Sequence, residues 1–394
     1  MLACLGKGNR TYYLWMGFLS VLILSGIYAY SHQLRFGFIV TNLSNQVSWG
    51  AYIANFTFLV GVAAAAVLLV VPTYVYERPE IKKVVIIGEL LALASIVMCL
   101  LFVTVDLGNP QRFIHMIPPF GKINFPESIL AWDVIVLTGY LLLNLHIPGY
   151  LLYQKYRNRP ASKRFYMPFV YVSMIWAISI HTVTAFLFSG FGSRPFWNSA
   201  ILAPRFLISA FAAGPALIII IFHFMNKLSS QKVEKSATEF FSRIIAYTLP
   251  TNLFLFMCEL FKEFYSDTLH NLSAHYLLFG IHGHFMIAPY VWAAIVFQVS
   301  SSFVFIFPAF RRRHNLLLAA CGLAFLGIWI EKGMGLIVPG FLPTPLGDLV
   351  EYTPSLVEFF VCLGIWSVGA FLFTAFSKVA IAINTGKLAK KNLP

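Results

Sequence analysis

Apolar runs of about 20 residues recur from one end of this chain to the other, and that repetition constrains the fold more than any motif does. A helix needs about 20 apolar residues to cross a bilayer core, and within lipid only helices and closed barrels satisfy their own backbone polar groups. Ten runs are predicted as spans, at approximately 12–31, 49–76, 84–105, 128–154, 165–189, 203–225, 240–265, 284–309, 315–336 and 355–382. The eighth and ninth, parted only by Arg311–His314, are the clearest pair; the seventh is the weakest, because Glu259 falls inside it. The first follows Lys7 and Arg10 as a signal peptide would, but it outlasts the usual apolar core of one and reads as a retained helix. Only 11% of the 394 residues are charged, against about 25% in ordinary soluble domains. The predicted class is all-α: a polytopic membrane protein with nothing left over for a soluble domain.

Charge is distributed by side. Of the 28 Lys and Arg residues, 21 fall on the side of the two termini and the even-numbered loops, and 7 on the other. The positive-inside rule then puts both termini in the cytoplasm and the chain in the cell membrane. The net charge of +13 thus reports orientation and gives no reason to invoke nucleic acid. Cytoplasmic connections are short and basic. The outer ones are long and rich in Pro, Gly, Asn and aromatics, as a docking surface or site lid would be, although an aromatic interfacial belt accounts for part of them. Five scattered cysteines form no CxxC pair and no Cys/His cluster, so the chain encodes no iron–sulfur or zinc site. Small apolar packing is the simpler role for them.

Ionisable residues inside the spans narrow the search for a site. In Ile178–Ala213, His181 and Thr184 stand one helical turn apart and share a face. A histidine in such a span is either hydrogen-bonded within the bundle or placed to handle protons. Asp133 follows Trp132 with no local basic partner, so it needs a partner from another helix, and His181 stands near the same depth. Asp106 precedes Arg112 by six residues and is expected to pair with it; Glu331 and Lys332 are expected to pair with each other. Bis-histidine haem would need two imidazoles on facing helices. His146 and His223 are the only pair near one depth, and no second pair exists. No haem is therefore expected. FLVGVAAAAVLL (Phe58–Leu69) is echoed by FLISAFAAGPAL (Phe206–Leu217), two small-residue segments of the kind that let helices approach closely.

Five stretches taken in order, VSWGAYIANFTFLVGVAAAAVLL, DLGNPQRFIHM, AWDVIVLTGYLLLN, IHTVTAFLFSGFGSRPFWNSAILAPRFLISAFAAGPA and WIEKGMGLIVPGFLPTPLG, resemble the NrfD/PsrC family of quinone-interacting membrane subunits. The ten-span branch fits best, the branch of DsrP from the DsrMKJOP complex, HmcC and QrcD. The resemblance implies one transmembrane domain over 1–394, with a first four-helix bundle at about 49–189 and a second at about 203–336, flanked by helices 12–31 and 355–382. It implies no redox centre in the chain. Electrons would pass between menaquinone in the first bundle and a periplasmic ferredoxin-like iron–sulfur subunit, with a multihaem cytochrome c and a haem b membrane subunit as further partners and sulfate or sulfite metabolism as the setting. Asn109 departs from the Arg that relatives commonly have there, which puts a charge network at that helix exit in doubt.

Quinol oxidation releases two protons with two electrons, so it requires bases beside the ring. Asp133 and His181 are expected to fill that role. Thr184 and Asn55 would orient the headgroup, Trp49 would wall the pocket, and Asp106 and Arg112 would belong to its outer edge. No metal ligand is expected. A transporter-like ion- or proton-translocating subunit is the alternative, and would show helices broken at midplane; the interruptions are expected at span ends instead. A structural anchor for partner subunits is the other. Topology is directly testable. Reporters fused after Pro394 or within Tyr156–Ser162 should read cytoplasmic, and one within Phe120–Asn124 should read external. A cytoplasmic signal from the last would overturn the ten-span orientation.

Overall fold

The computed structural model describes residues 2–117, 119–229, 231–265, 271–344 and 347–388. Pro394 lies outside these, as do 266–270 in the connection after the seventh span and 345–346 in that after the ninth. Among the described residues, ten helices are long and apolar enough to cross a membrane. They are α1 (Arg10–Phe36), α2 (Ala51–Tyr74), α3 (Val85–Asp106), α4 (Ile129–Tyr156) and α5 (Lys163–Ser189). The others are α6 (Leu202–Leu228), α7 (Lys235–Tyr265), α8 (Ala288–Ile306), α9 (His314–Lys332) and α10 (Leu356–Asn384). This is an all-α multi-pass membrane protein. Ten spans bring both termini to one face, the terminal face; the opposite one is the far face.

Of the boundaries that depart from the hydropathy pattern, three have a clear local reason. The first helix runs on to Phe36 because Gln33, polar by composition, is buried and satisfied. Its Oε1 accepts from Tyr52 Oη at 2.6 Å and its Nε2 donates to the Val105 carbonyl at 2.7 Å, which ties α1 to α2 and α3. The eighth starts at Ala288, four residues late. Gly280 and Gly283 have positive φ, and Ile281 and His284 exchange backbone hydrogen bonds in a tight turn that no helix can include. The ninth ends at Lys332, and the chain leaves by two short turns, Met334–Ile337 and Pro339–Phe341.

Interruptions are not confined to span ends, contrary to expectation. Within α2, Ala51–Ala64 and Val67–Tyr74 are separate helices joined at Ala65–Ala66, where amides bond three residues back, Ala66 to Ala63 at 3.3 Å and Leu68 to Ala65 at 3.0 Å. Such tightened turns inside a helix accompany strain or a hinge. Here the break coincides with a close approach of neighbouring helices. A Cβ on Gly214 of α6 would fall 2.0 Å from that of Ala65, and one on Gly88 of α3 would fall 2.2 Å from Leu69 Cδ1.

Helices α2–α5 close one ring, in which α2 and α4 each pack on both α3 and α5. Helices α6–α9 close a second, in which α6 and α8 each pack on both α7 and α9. The join between the rings is made by α6 against α2 and α5, so the two echoed small-residue segments meet each other. Every residue of Ala51–Ala64 is buried. Lipid tails are as apolar as Leu, so close packing of small residues is what holds such helices together. Flanking helices α1 and α10 pair with each other, and α10 lies on α3; Gly26 faces Gly364, and a Cβ on either would come within 2.7 Å of the other's Cα. Glu358, a buried carboxylate in the first turn of α10, has a structural role. Its Oε2 accepts from the Ser355 and Asn42 amides at 2.8 and 2.9 Å, and Tyr352 donates to its Oε1.

Gly214→Val should therefore force α2 and α6 apart. Overpacking of this kind costs about 1–3 kcal/mol, so the solubilised variant should melt below the wild type. Gly17→Val, where nothing lies within 4 Å, should melt with it; equal melting of all three would mean that the rings do not interlock at Gly214.

Candidate functional site

Two groups of buried polar side chains occupy the far-face half of the molecule, one in each ring. The first is built on α4 and α5. Asp133 lies one turn inside α4, which Ser128 caps by accepting from the Ala131 amide. Its carboxylate is 2% exposed and, among the described residues, is in no ion pair. Its Oδ1 stands 2.9 Å from Thr184 Oγ1, which also lies 2.8 Å from the Ile180 carbonyl. A hydroxyl has one proton and so serves one acceptor at a time. A proton arriving on Asp133 would let Asp133 donate to Thr184 and leave the Thr184 proton to Ile180, closing both contacts at once. The site is thus better hydrogen-bonded after it takes a proton than before.

His181, one turn earlier on α5, is not the partner of Asp133. Its Nε2 lies 2.5 Å from the Phe206 carbonyl on α6. A carbonyl only accepts, so Nε2 carries the proton and Nδ1, buried and without a partner, has the lone pair in the neutral ring. His181 lines a small cavity between the two rings, together with Thr57, Phe58 and Gly61 of α2, Phe206 and Ser209 of α6, and Lys332 of α9. Its volume, about 10 Å³, admits a single water-sized atom.

The second group neutralises itself. Arg205, 2% exposed near the start of α6, pairs with Glu259 of α7 and, through Nη2 at 2.5 Å, with Glu331 of α9. Glu331 Oε2 accepts from Asn252 at 2.9 Å and Gln298 at 2.7 Å, and Lys332 Nζ lies 3.5 Å from its other oxygen. All four helices of the second ring thereby share one polar core. The expected self-contained Glu331–Lys332 pair is real but is only its edge. Glu259 made the seventh span look doubtful because hydropathy has no knowledge of Arg205. Matching lone carboxylates to lone cations at equal depth in neighbouring spans would have found this cluster.

Other sequence-derived candidates fall elsewhere. Trp49 stacks on Trp197 at 5.7 Å within an aromatic box completed by Phe188, Phe191 and Phe341, two rings away from the cavity. Asn55 is already spoken for: its Oδ1 accepts from Trp329 and Trp366 at 3.0 and 2.9 Å, and its amide donates to the Ala51 carbonyl. It clasps α2 to α9 and α10. Asp106 and Arg112 do not pair. Asp106 Oδ1 is buried without a partner, whereas Arg112 is exposed on the 3₁₀ turn Pro110–Met116, because the chain turns away at Leu107–Asn109. His146 and His223 do not meet either. His223 Nδ1 contacts His314 Nε2 at 2.8 Å, while His146 lies among Tyr150, Phe165 and Phe169.

Removing one member of a buried ion cluster strands the others, at a cost of about 3–5 kcal/mol. Arg205→Leu should lower the melting temperature of the solubilised protein sharply. Glu77→Ala breaks the exposed Lys163 pair on the terminal face and should barely move it. Similar small shifts in both would mean that the cluster contributes nothing to stability.

The comparisons agree with this architecture. A family model described as "Polysulphide reductase, NrfD" matches residues 39–342. A putative membrane subunit of a dimethyl sulfoxide reductase from Halobacterium salinarum is 23% identical over 94% of this chain and 90% of its own length. An Hdr-like menaquinol oxidoreductase integral membrane subunit of Archaeoglobus fulgidus is 21% identical, over 90% and 89%. A selenate reductase subunit of Mesobacillus selenatarsenatis is 22% identical, over 95% of each. With the family model covering both rings and the relatives covering nearly every span, the chain belongs to the NrfD family.

Proposed function

We propose that this chain is the quinone-interacting membrane subunit of a multi-subunit respiratory oxidoreductase. It exchanges electrons between menaquinol or menaquinone and a periplasmic iron–sulfur partner, with the far face as the outer one. The observation that carries the reading is the set of proton acceptors one turn apart on α5 and its neighbour: Asp133 with Thr184, and His181 Nδ1. Buried ionisable groups of this sort within membrane spans mark proton or substrate handling. The menaquinol named in the Archaeoglobus relative supports the choice of quinol, and the reductase subunits among the relatives support the multi-subunit setting.

A quinol supplies two electrons and two protons. Asp133 takes one proton and relays its hydrogen bond through Thr184 to Ile180. His181 takes the other on Nδ1, with its ring held in place by Phe206. The electrons leave across the far face, where the Pro110–Met116 turn exposes Arg112, Phe113 and Ile114 as a docking surface for the iron–sulfur subunit. A cytochrome c and a haem b subunit would complete the chain of carriers. Sulfate or sulfite metabolism is the setting that likeness to the DsrP branch favours; the terminal acceptor is a property of the partners.

The interruption in α2 is the one feature that favours a transporter-like subunit, since transporters bind ions at broken helices. It is lined by alanines, however, and offers no side chain to an ion.

In the assembled complex, Asp133→Asn and His181→Phe should each lower quinol-linked electron transfer by about 10²–10⁴-fold, the usual range for a lost acid or base. The double variant should be scarcely worse than the worse single one. Rates must be normalised to assembled enzyme. Near-normal quinol oxidation by both single variants would sink the reading and leave a structural anchor.

A further inference from the structure

The cavity between the rings contains an imbalance that the Asp133–Thr184 pair does not explain. Lys332 is 3% exposed, and its Nζ makes no hydrogen bond. Its nearest polar neighbour is the Glu331 carboxylate at 3.5 Å, and otherwise it faces the Phe206 ring at 5.2 Å. His181 Nδ1 is likewise unpartnered. Both residues line the same cavity. Native structures leave few such groups unsatisfied, and two at one cavity call for an explanation.

The other polar walls do not compete. Thr57 Oγ1 donates to the Ile53 carbonyl at 2.8 Å and Ser209 Oγ to the Phe206 carbonyl at 2.8 Å. The remaining lining is apolar. The space thus offers N–H donors from Lys332 and a lone pair from His181, with room for one atom of oxygen size. A cation is disfavoured by the lysine, and a carboxylate brings two oxygens where one fits. A hydroxyl matches, because its oxygen accepts while its proton donates.

We infer that this cavity is the socket for one hydroxyl oxygen of the quinol headgroup, with Lys332 donating to that oxygen and His181 Nδ1 accepting its proton. The inference rests on the quinone reading above and deepens it: the second ring, through Lys332, contributes directly to a site that the sequence places in the first. On oxidation both O–H bonds of the quinol break: the proton of the socketed hydroxyl passes to His181 Nδ1, that of the other hydroxyl to Asp133, and the two electrons leave through the ring toward the iron–sulfur partner. Lys332 remains as donor to the resulting carbonyl.

The test is binding of 2-heptyl-4-hydroxyquinoline N-oxide, a quinol analogue, to the purified complex, followed by quenching of its fluorescence. Lys332→Met keeps the chain length and removes the donor. Gly61→Ala changes no charge, but its Cβ would lie 3.2 Å from His181 Cε1 and 3.4 Å from the Ala210 Cβ, at the cavity wall. Both should raise Kd by about tenfold or more, the scale of one lost hydrogen bond to a charged group. Glu77→Ala, in an exposed ion pair on the terminal face, should bind as the wild type does. If Lys332→Met does not assemble, Gly61→Ala decides. Weakened binding in Asp133→Asn, with wild-type Kd in Gly61→Ala and Lys332→Met, would overturn the socket, leave it holding water only, and spare the quinone reading. Unchanged binding in all three would overturn both.

Discussion

The approach of α2 to α6 at Ala65 and Gly214 is the contact on which the rest of the molecule depends. Neither helix gains hydrophobic energy by leaving lipid for its neighbour, so the association rests on backbone proximity, and that needs residues with almost no side chain. Once the two helices meet, Phe206 presents its carbonyl to His181 and its ring to Lys332. Residues from α2, α5, α6 and α9 then converge on one cavity. The same squeeze accompanies the turn that divides α2.

The two rings solve the problem of charge in lipid in opposite ways. The second pools two cations and two carboxylates and adds two side-chain amides, so that its carboxylates have charged or amide partners. That cluster ties four helices together and has a structural sufficiency of its own. The first ring leaves Asp133 with a hydroxyl alone. A buried carboxylate without a cation is unfavourable as an ion and is eased by a proton. Within one fold, then, a stabilising core stands beside an acceptor left unneutralised. Lys332 belongs to both, since it touches the cluster at Glu331 and reaches the cavity beside His181.

The pairing that the structure refuses, Asp106 with Arg112, and the one that it keeps only as the edge of a larger cluster, Glu331 with Lys332, were suggested by one cause. Asp106 and Arg112 are six residues apart and Glu331 and Lys332 are adjacent, so closeness along the chain stands in for closeness in space. The first pair is separated by a turn of the backbone, and the second is absorbed into a cluster drawn from α6, α7 and α9. Asn55 and Trp49 have chemistry suited to a headgroup, but their neighbours already use it, Asn55 by two tryptophans and Trp49 by an aromatic box. Asp133 and Thr184, by contrast, are recognisable because a lone carboxylate in an apolar run stands out on any scale. Their contact across 51 residues is not.

What the sequence determined by itself is what lipid dictates locally. Span number and helical state follow from backbone groups that must bond within their own segment, and charge asymmetry between loops is likewise a property of composition. The small-residue echo marked two helices able to approach a neighbour closely, and these two meet. Which polar atom meets which was decided only by tertiary structure, because a helix fixes the direction of a side chain but not its partner. That Asp133 answers to Thr184, that His181 turns to α6, and that Lys332 crosses from the second ring all depend on how two rings meet at a pair of residues with no side chain to hold them apart.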